Sequence, residues 1–192
     1  MLRSILLLLC LFVSSVSFAR DIDINLASNA AQFKYTTLVG ATNYGRTEMT
    51  LGFLYNEDHN DHSVLGEAGL LVIDEAGSKT PGLELGVGPK LWFGTFDKAD
   101  ASLVALGLGG QLRFKSMGAP RWVYGASLYY APSIVAFIDA DNMVEYELRV
   151  EYELLPTANA YVGYRNIKAD IHHYKKSAEI DDSFIVGLRF KF

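Results

Sequence analysis

The stretch 182–192, D-S-F-I-V-G-L-R-F-K-F, limits the possible folds more than any other part of the chain. Phe184, Val186, Leu188, Phe190 and Phe192 occupy even positions. Ser183, Gly187, Arg189 and Lys191 occupy odd ones, with Ile185 the single exception. Side chains of a strand point alternately to its two faces. One face of this segment is therefore apolar and aromatic, and the other is mostly small or charged. A soluble protein can bury such a face in a core, but aromatics two apart that close on Phe192 form a narrower pattern.

The same alternation recurs upstream. Ten stretches carry it: 21–28, 31–39, 46–55, 62–73, 82–95, 102–114, 121–130, 143–154, 159–168 and 182–192. The eighth is the sharpest, with Val144, Tyr146, Leu148, Val150, Tyr152 and Leu154 opposing Glu145, Glu147, Arg149, Glu151 and Glu153. In the fifth, Pro89 interrupts a regular ladder and predicts a bulge. Most stretches have about 9–12 residues, the length that crosses a bilayer as a tilted strand.

The first nineteen residues read as a cleaved export signal. Arg3 supplies the positive start, 5–13 is an apolar run around Cys10, and Ser17-Phe18-Ala19 puts small residues at the −3 and −1 positions. The run is too short to span a membrane. Leu9 stands where a lipoprotein would have a small residue before its cysteine. Cleavage after Ala19 leaves one domain, 20–192, without cysteine, so no disulfide framework holds it. Loss of Arg3 moves the formal net charge from −5 to −6, and an acidic chain is a poor nucleic-acid binder. No later apolar run reaches the roughly 18 residues of a membrane helix.

An exported chain rich in apolar strands satisfies its backbone in lipid only as a closed barrel. The expected fold class is therefore all-β, a ten-stranded antiparallel transmembrane β-barrel. Eight strands is the alternative, if the first two stretches merge or one is peripheral. An even count puts both chain ends in the periplasm, with turns at 40–45, 74–81, 116–120 and 155–158. Outer loops are then expected at 29–30, 56–61, 96–101, 131–142 and 169–181. Tyr55, Phe96, Tyr130 and Phe184 would form the outer aromatic belt, and Phe114, Trp122, Phe190 and Phe192 the inner one. Good strand formers scattered for their propensity alone are the plainer explanation of those aromatics.

Parity sends Glu48, Glu67, Glu84, Glu145, Glu147, Glu151 and Glu153 inward, with Lys34, Arg46, Lys90, Arg113, Arg149, Arg165 and Arg189. A balanced set favours a packed ion-pair interior, because unpaired charges in a narrow lumen are costly; an open pore would keep them hydrated. Inward Gly86, Gly88, Gly107, Gly109, Gly163 and Gly187 leave space for long charged side chains or for solute. A short turn at 155–157 pairs Leu154 with Ala158, and that register sets Glu147 opposite Arg165 and Arg149 opposite Gly163. The apolar stretch 134–138 at the outer mouth is either a lid or an extension of the seventh strand past Pro132.

All four histidines, His59, His62, His172 and His173, fall in or beside outer loops, near Glu57, Asp58, Asp61 and Asp170. Histidine beside carboxylate can bind metal or activate water. Hydrated loops facing lipopolysaccharide carry the same residues. No nucleophile elbow, zincin, P-loop or dinucleotide motif occurs, so no catalytic, cofactor or metal residues are assigned.

Tyr129-Tyr130-Ala131-Pro132-Ser133, Tyr161-Val162-Gly163-Tyr164-Arg165 and the terminal Val186-Gly187-Leu188-Arg189-Phe190-Lys191-Phe192 are similar to segments of the YfaZ-type outer-membrane proteins of Gram-negative bacteria. The spacing of stretches over most of 20–192 resembles that family too. The resemblance implies an outer-membrane barrel and no assigned reaction. Leu188, Phe190 and Phe192 resemble the signal read by the barrel assembly machinery. The expected partners are that machinery, outer-membrane lipid and lipopolysaccharide, around a monomer. The expected function is non-enzymatic, structural or weakly conducting. A porin-like channel for small hydrophilic solutes and an outer-membrane hydrolase are the alternatives.

Overall fold

A computed structural model describes residues 19–42, 45–58, 61–76, 80–96, 101–138, 140–171 and 178–192. Residues 1–18 of the expected export signal lie outside these, as do His59, His172 and His173.

The strands are β1 (Ala19–Leu26), β2 (Ala30–Thr42), β3 (Gly45–Asp58), β4 (Asp61–Glu75), β5 (Leu83–Phe96), β6 (Ala101–Lys115), β7 (Trp122–Ala131), β8 (Ala136–Ile138), β9 (Ala140–Leu155), β10 (Ala158–Ile171) and β11 (Ala178–Lys191). Each barrel strand is antiparallel to its chain neighbours, and β1 pairs with β11 to close the ring. Ten strands form this closed barrel, and β8 is a short piece beside β6. The eight-stranded alternative fails at β1. Its Ile22 pairs with Tyr35 of β2 and with Phe190 of β11, so β1 is a full member of the wall.

The alternation read from the sequence is the alternation of the wall. Val186 and Leu188 face outward at 57% and 43% exposure, whereas the exception, Ile185, faces inward at 1%. An outer face of leucine, valine, phenylalanine and tyrosine on every strand is what hydrocarbon selects. Tyr164 meets Phe184 edge-on at 5.4 Å toward the loop end, and Trp122 meets Tyr152 at 5.0 Å toward the turn end. Phe96 leaves the expected outer belt, because it turns inward and is buried.

Three boundaries shift. Gly40–Thr42 belongs to β2 and pairs with Gly45–Thr47 after an irregularity at Leu38, so the first turn is tighter than expected. β10 and β11 run on through much of the expected 169–181 loop. The stretch 134–138 extends the seventh strand. After Ala131 the chain makes a short 3-10 turn at Ser133–Val135, then Ala136–Ile138 resumes pairing with Leu103–Ala105 of β6.

Pro89 makes no bulge. Pairing of β5 with β4 lapses at Leu70 and Leu71 and resumes at Val72↔Val87 in unchanged register. The missing N–H interrupts the ladder without shifting it. The strands also press together here, for a Cβ on Gly88 would sit 1.9 Å from the Leu70 carbonyl oxygen.

Candidate functional site

The interior of the barrel is the candidate site, and it has two storeys. The end that carries Ala19, Phe192 and the turn after Leu155 corresponds to the periplasmic end expected from the sequence.

Of the fourteen charges expected to face the lumen, Lys34, Arg46, Glu48, Glu67, Lys90, Arg113, Glu145, Glu147, Arg149 and Arg189 line one cavity. At mid-height Lys90 Nζ lies 2.7 Å from Glu67 Oε2 and 2.8 Å from Glu145 Oε1. Trp92 Nε1 donates to the other oxygen of Glu145 at 2.7 Å. The Lys90 ammonium stands 4.8 Å from the Tyr129 ring centroid, a cation–π distance. Lys34 Nζ reaches Glu147 at 3.3 Å and Glu67 at 3.7 Å.

Below this ring, three arginines converge on one carboxylate. Arg113 and Arg149 approach Glu151 at 2.9 Å each and Arg189 at 3.2 Å, while Asn159 donates to it at 2.8 Å. Arg149 and Arg189 also share Asp23, at 3.2 and 3.4 Å. Tyr161 donates to Asp23 at 2.5 Å. Arg46 joins Glu48 at 2.7 Å to Glu84 at 2.9 Å. At the rim Glu153 meets Lys115 at 3.2 Å, half in solvent.

Arg165 stands apart. It is opposite Glu147 in register, and Arg149 is opposite Gly163, as the sequence predicts from Asn159 onward. At the turn itself Leu155, not Leu154, pairs with Ala158, with an irregularity before Asn159. The Arg165 guanidinium turns toward the loop end, where Nε donates to Asp181 at 2.5 Å and Nη1 donates to Asn25 at 2.8 Å and to Gln32. Sequence parity missed Asp23 and Asn25, although the D-I-D-I-N pattern of β1 contains them. Asp181 was hidden by its place in a predicted loop.

The upper storey is largely apolar, with the buried Arg165–Asp181 pair, Asn25 and Gln32 set into it. Leu54, Leu65, Trp92, Leu103, Met143 and Ile167 are 0–2% exposed and pack across the lumen. Glycines seat this packing: a Cβ on Gly107 would lie 2.5 Å from the Trp92 ring, and one on Gly109 2.5 Å from the Tyr129 ring. Lower down, Gly187 stands 2.4 Å on the same measure from the Tyr161 ring. The expectation that these glycines make room for charged side chains holds for Gly163 under Arg149, at 3.0 Å. For most of the others the space is taken by rings and Leu71.

Between the charged ring and the periplasmic rim lies a cavity of about 220 Å³. His62, the one described histidine, sits on the exterior, where its Nδ1 is 3.0 Å from the Tyr55 hydroxyl. No three His, Cys, Asp or Glu side chains converge as a metal site among the described residues.

A closed ten-stranded barrel with an apolar outer face and aromatics toward both ends defines an integral outer-membrane β-barrel, porin-like in fold. The chain belongs to the YfaZ family, whose model, described as YfaZ precursor, matches residues 2–192. Among solved structures the chain is similar to the KdgM porin in complex with disordered oligogalacturonate. That likeness has a TM-score of 0.43, 11% identity, and covers 91% of this chain and 99% of that one. A structure from work on the mechanism behind the in-meso crystallization of membrane proteins gives a TM-score of 0.44 at 10% identity, over 91% of this chain and 83% of that one. No curated protein sequence matches significantly.

Proposed function

We propose that this protein is a non-enzymatic envelope barrel whose lumen offers solutes no continuous water path. In this reading the chain is exported by a signal cleaved after Ala19, folded by an assembly machinery that reads Leu188, Phe190 and Phe192, and held as a monomer among lipopolysaccharide and lipid. One observation carries the reading: the apolar packing of Leu54, Leu65, Trp92, Leu103, Met143 and Ile167 across the upper lumen. An aqueous pore keeps a polar, hydrated lining through its full length.

Planar-bilayer recording of the refolded mature chain tests this. The expected trace is flat or shows only rare small openings. Stable, ohmic steps of porin size would favour the second reading, a channel for small hydrophilic solutes, which the 220 Å³ cavity supports. A hydrolase would need His59, His62, His172 and His173. Lipid or peptide hydrolysis lost on replacing all four would select that reading.

A further inference from the structure

The inward charges balance in number but not in position. The ceiling of the cavity presents Lys34 and Lys90 with Glu67, Glu145 and Glu147. The walls below present Arg20, Arg46, Arg113, Arg149, Arg189 and Lys191. Only Asp21, Asp23 and Glu48 oppose them on the cavity surface at that level. Glu151, held by three arginines and Asn159 with its side chain 0% exposed, and Glu84, 2.9 Å from Arg46, lie behind that surface and reduce the excess to one positive charge. The cavity surface at this level therefore presents guanidinium groups, with part of the compensating carboxylate set behind them. This runs against the net charge of the whole chain, −5.

The arginines also have bonding capacity left. Arg113 reaches Glu84 only at 3.9 Å, and its buried Nε has no hydrogen-bond partner among the described residues. Gly125 lies between Arg113 and Arg149 in the wall, Ser127 between Gln111 and Glu147, and Gly69 on β4; their small side chains leave the hollow. Arg20, Asp21 and Lys191 at its mouth mark the periplasmic end as the way in. Clefts lined by one sign of charge with low-dielectric walls concentrate counter-ions, and guanidinium forks suit planar carboxylates and phosphates.

We infer that the lower lumen is a periplasm-facing binding site for a small oxyanion, a solute bearing phosphate or carboxylate. The site rests on the charges of the cavity and stands whether or not the barrel conducts.

Ser127→Cys puts a single thiol on the cavity wall, between Gln111 and Glu147, in a mature chain that has no other cysteine. The barrel is refolded in lipid nanodiscs, with folding checked by heat-modifiable gel mobility. It is then treated with methanethiosulfonates of either sign. Gly118→Cys, on the exposed turn before β7, provides the reference rate. Relative to that reference, the anionic reagent should react about tenfold or more faster than the cationic one at the Ser127→Cys site. Millimolar inorganic phosphate should slow that reaction and leave the reference unchanged. Adding Arg113→Gln should abolish both the preference and the protection. Equal rates for the two reagents, or no protection by phosphate, would overturn the inference. So would a preference that survives Arg113→Gln in a folded barrel. Access is tested separately: the thiol should react in outer-membrane fragments and not from outside intact cells. Reaction from outside with phosphate protection intact would refute the absence of a water path and leave the anion site standing.

Discussion

Glu147 and Arg165 face each other across β9 and β10 but do not form an ion pair with each other. Glu147 is held by Lys34 and Arg149, both at 3.3 Å, and Arg165 by Asp181 at 2.5 Å. Register brings two backbones level, and side chains of this length then choose partners up or down the barrel. Arg165 and Asp181 both have fully buried side chains, at 0% exposure. Replacing Arg165 with Met strands a carboxylate in the wall and should cost about 3–5 kcal/mol. Adding Asp181→Asn should recover part of that loss. Urea unfolding in lipid vesicles reads both, and a neutral Arg165→Met would remove the pair from the account of stability.

The register has its own test. Cysteines introduced at positions 147 and 165 should crosslink under mild oxidation, and those at 149 and 165 should not, because Arg149 lies opposite Gly163. The reverse result would displace β9 by one pair.

Leu188 lies between Ile24 and Ala160, and Val150 between Tyr124 and Val162, all on the outer face. Arg at either position near the bilayer midplane should cost about 2–4 kcal/mol. The same unfolding assay checks this; wild-type stability for Leu188→Arg in lipid would mean that this face does not meet hydrocarbon.

Gly107 and Gly187 lie against the rings of Trp92 and Tyr161. Alanine at either should force a ring aside and destabilise the barrel by about 1–3 kcal/mol, the usual cost of overpacking. Gly118, with open space around it, should accept alanine with little change. Melting of the gel-shifted folded band compares the three.

Phe192 is 77% exposed, and its N–H donates to the Arg20 carbonyl oxygen at 3.0 Å. Its removal takes away little packing. Deleting Phe192 should therefore leave the stability of refolded barrels nearly unchanged while lowering the rate of insertion in cells. Pulse-chase labelling of outer-membrane fractions measures that rate, and normal insertion would take the assembly role from this residue.

The strand count, the antiparallel order and the identity of the two faces were legible because period-two alternation is strong where one side meets lipid. Even the irregular Ile185 was marked by its break in parity. Alternation says which side a residue faces and nothing about height along the barrel axis. The apolar upper storey stayed hidden for that reason. Leu54, Leu65, Leu103 and Met143 each look like a minor lapse in a polar face, and only the closed ring shows that they sit at one level. Phe96 ends its strand, which predicts a belt position, but it packs into the apolar cluster of the lumen. The lost donor of Pro89, taken alone, predicts a bulge. The register can tolerate that loss when glycine beside it lets the strands draw close.

The upper storey also bears on the journey before folding. At the start of β6, Leu103 and Ala105 pack inward while Val104, Leu106 and Leu108 face lipid, so both parities are apolar there. From Ala101 to Leu112 the chain carries no charge. Extended and unpaired, such a run is prone to stick to copies of itself, with no gatekeeper charge inside it. The residues that fill the finished barrel are thus among those most prone to self-association before the barrel closes.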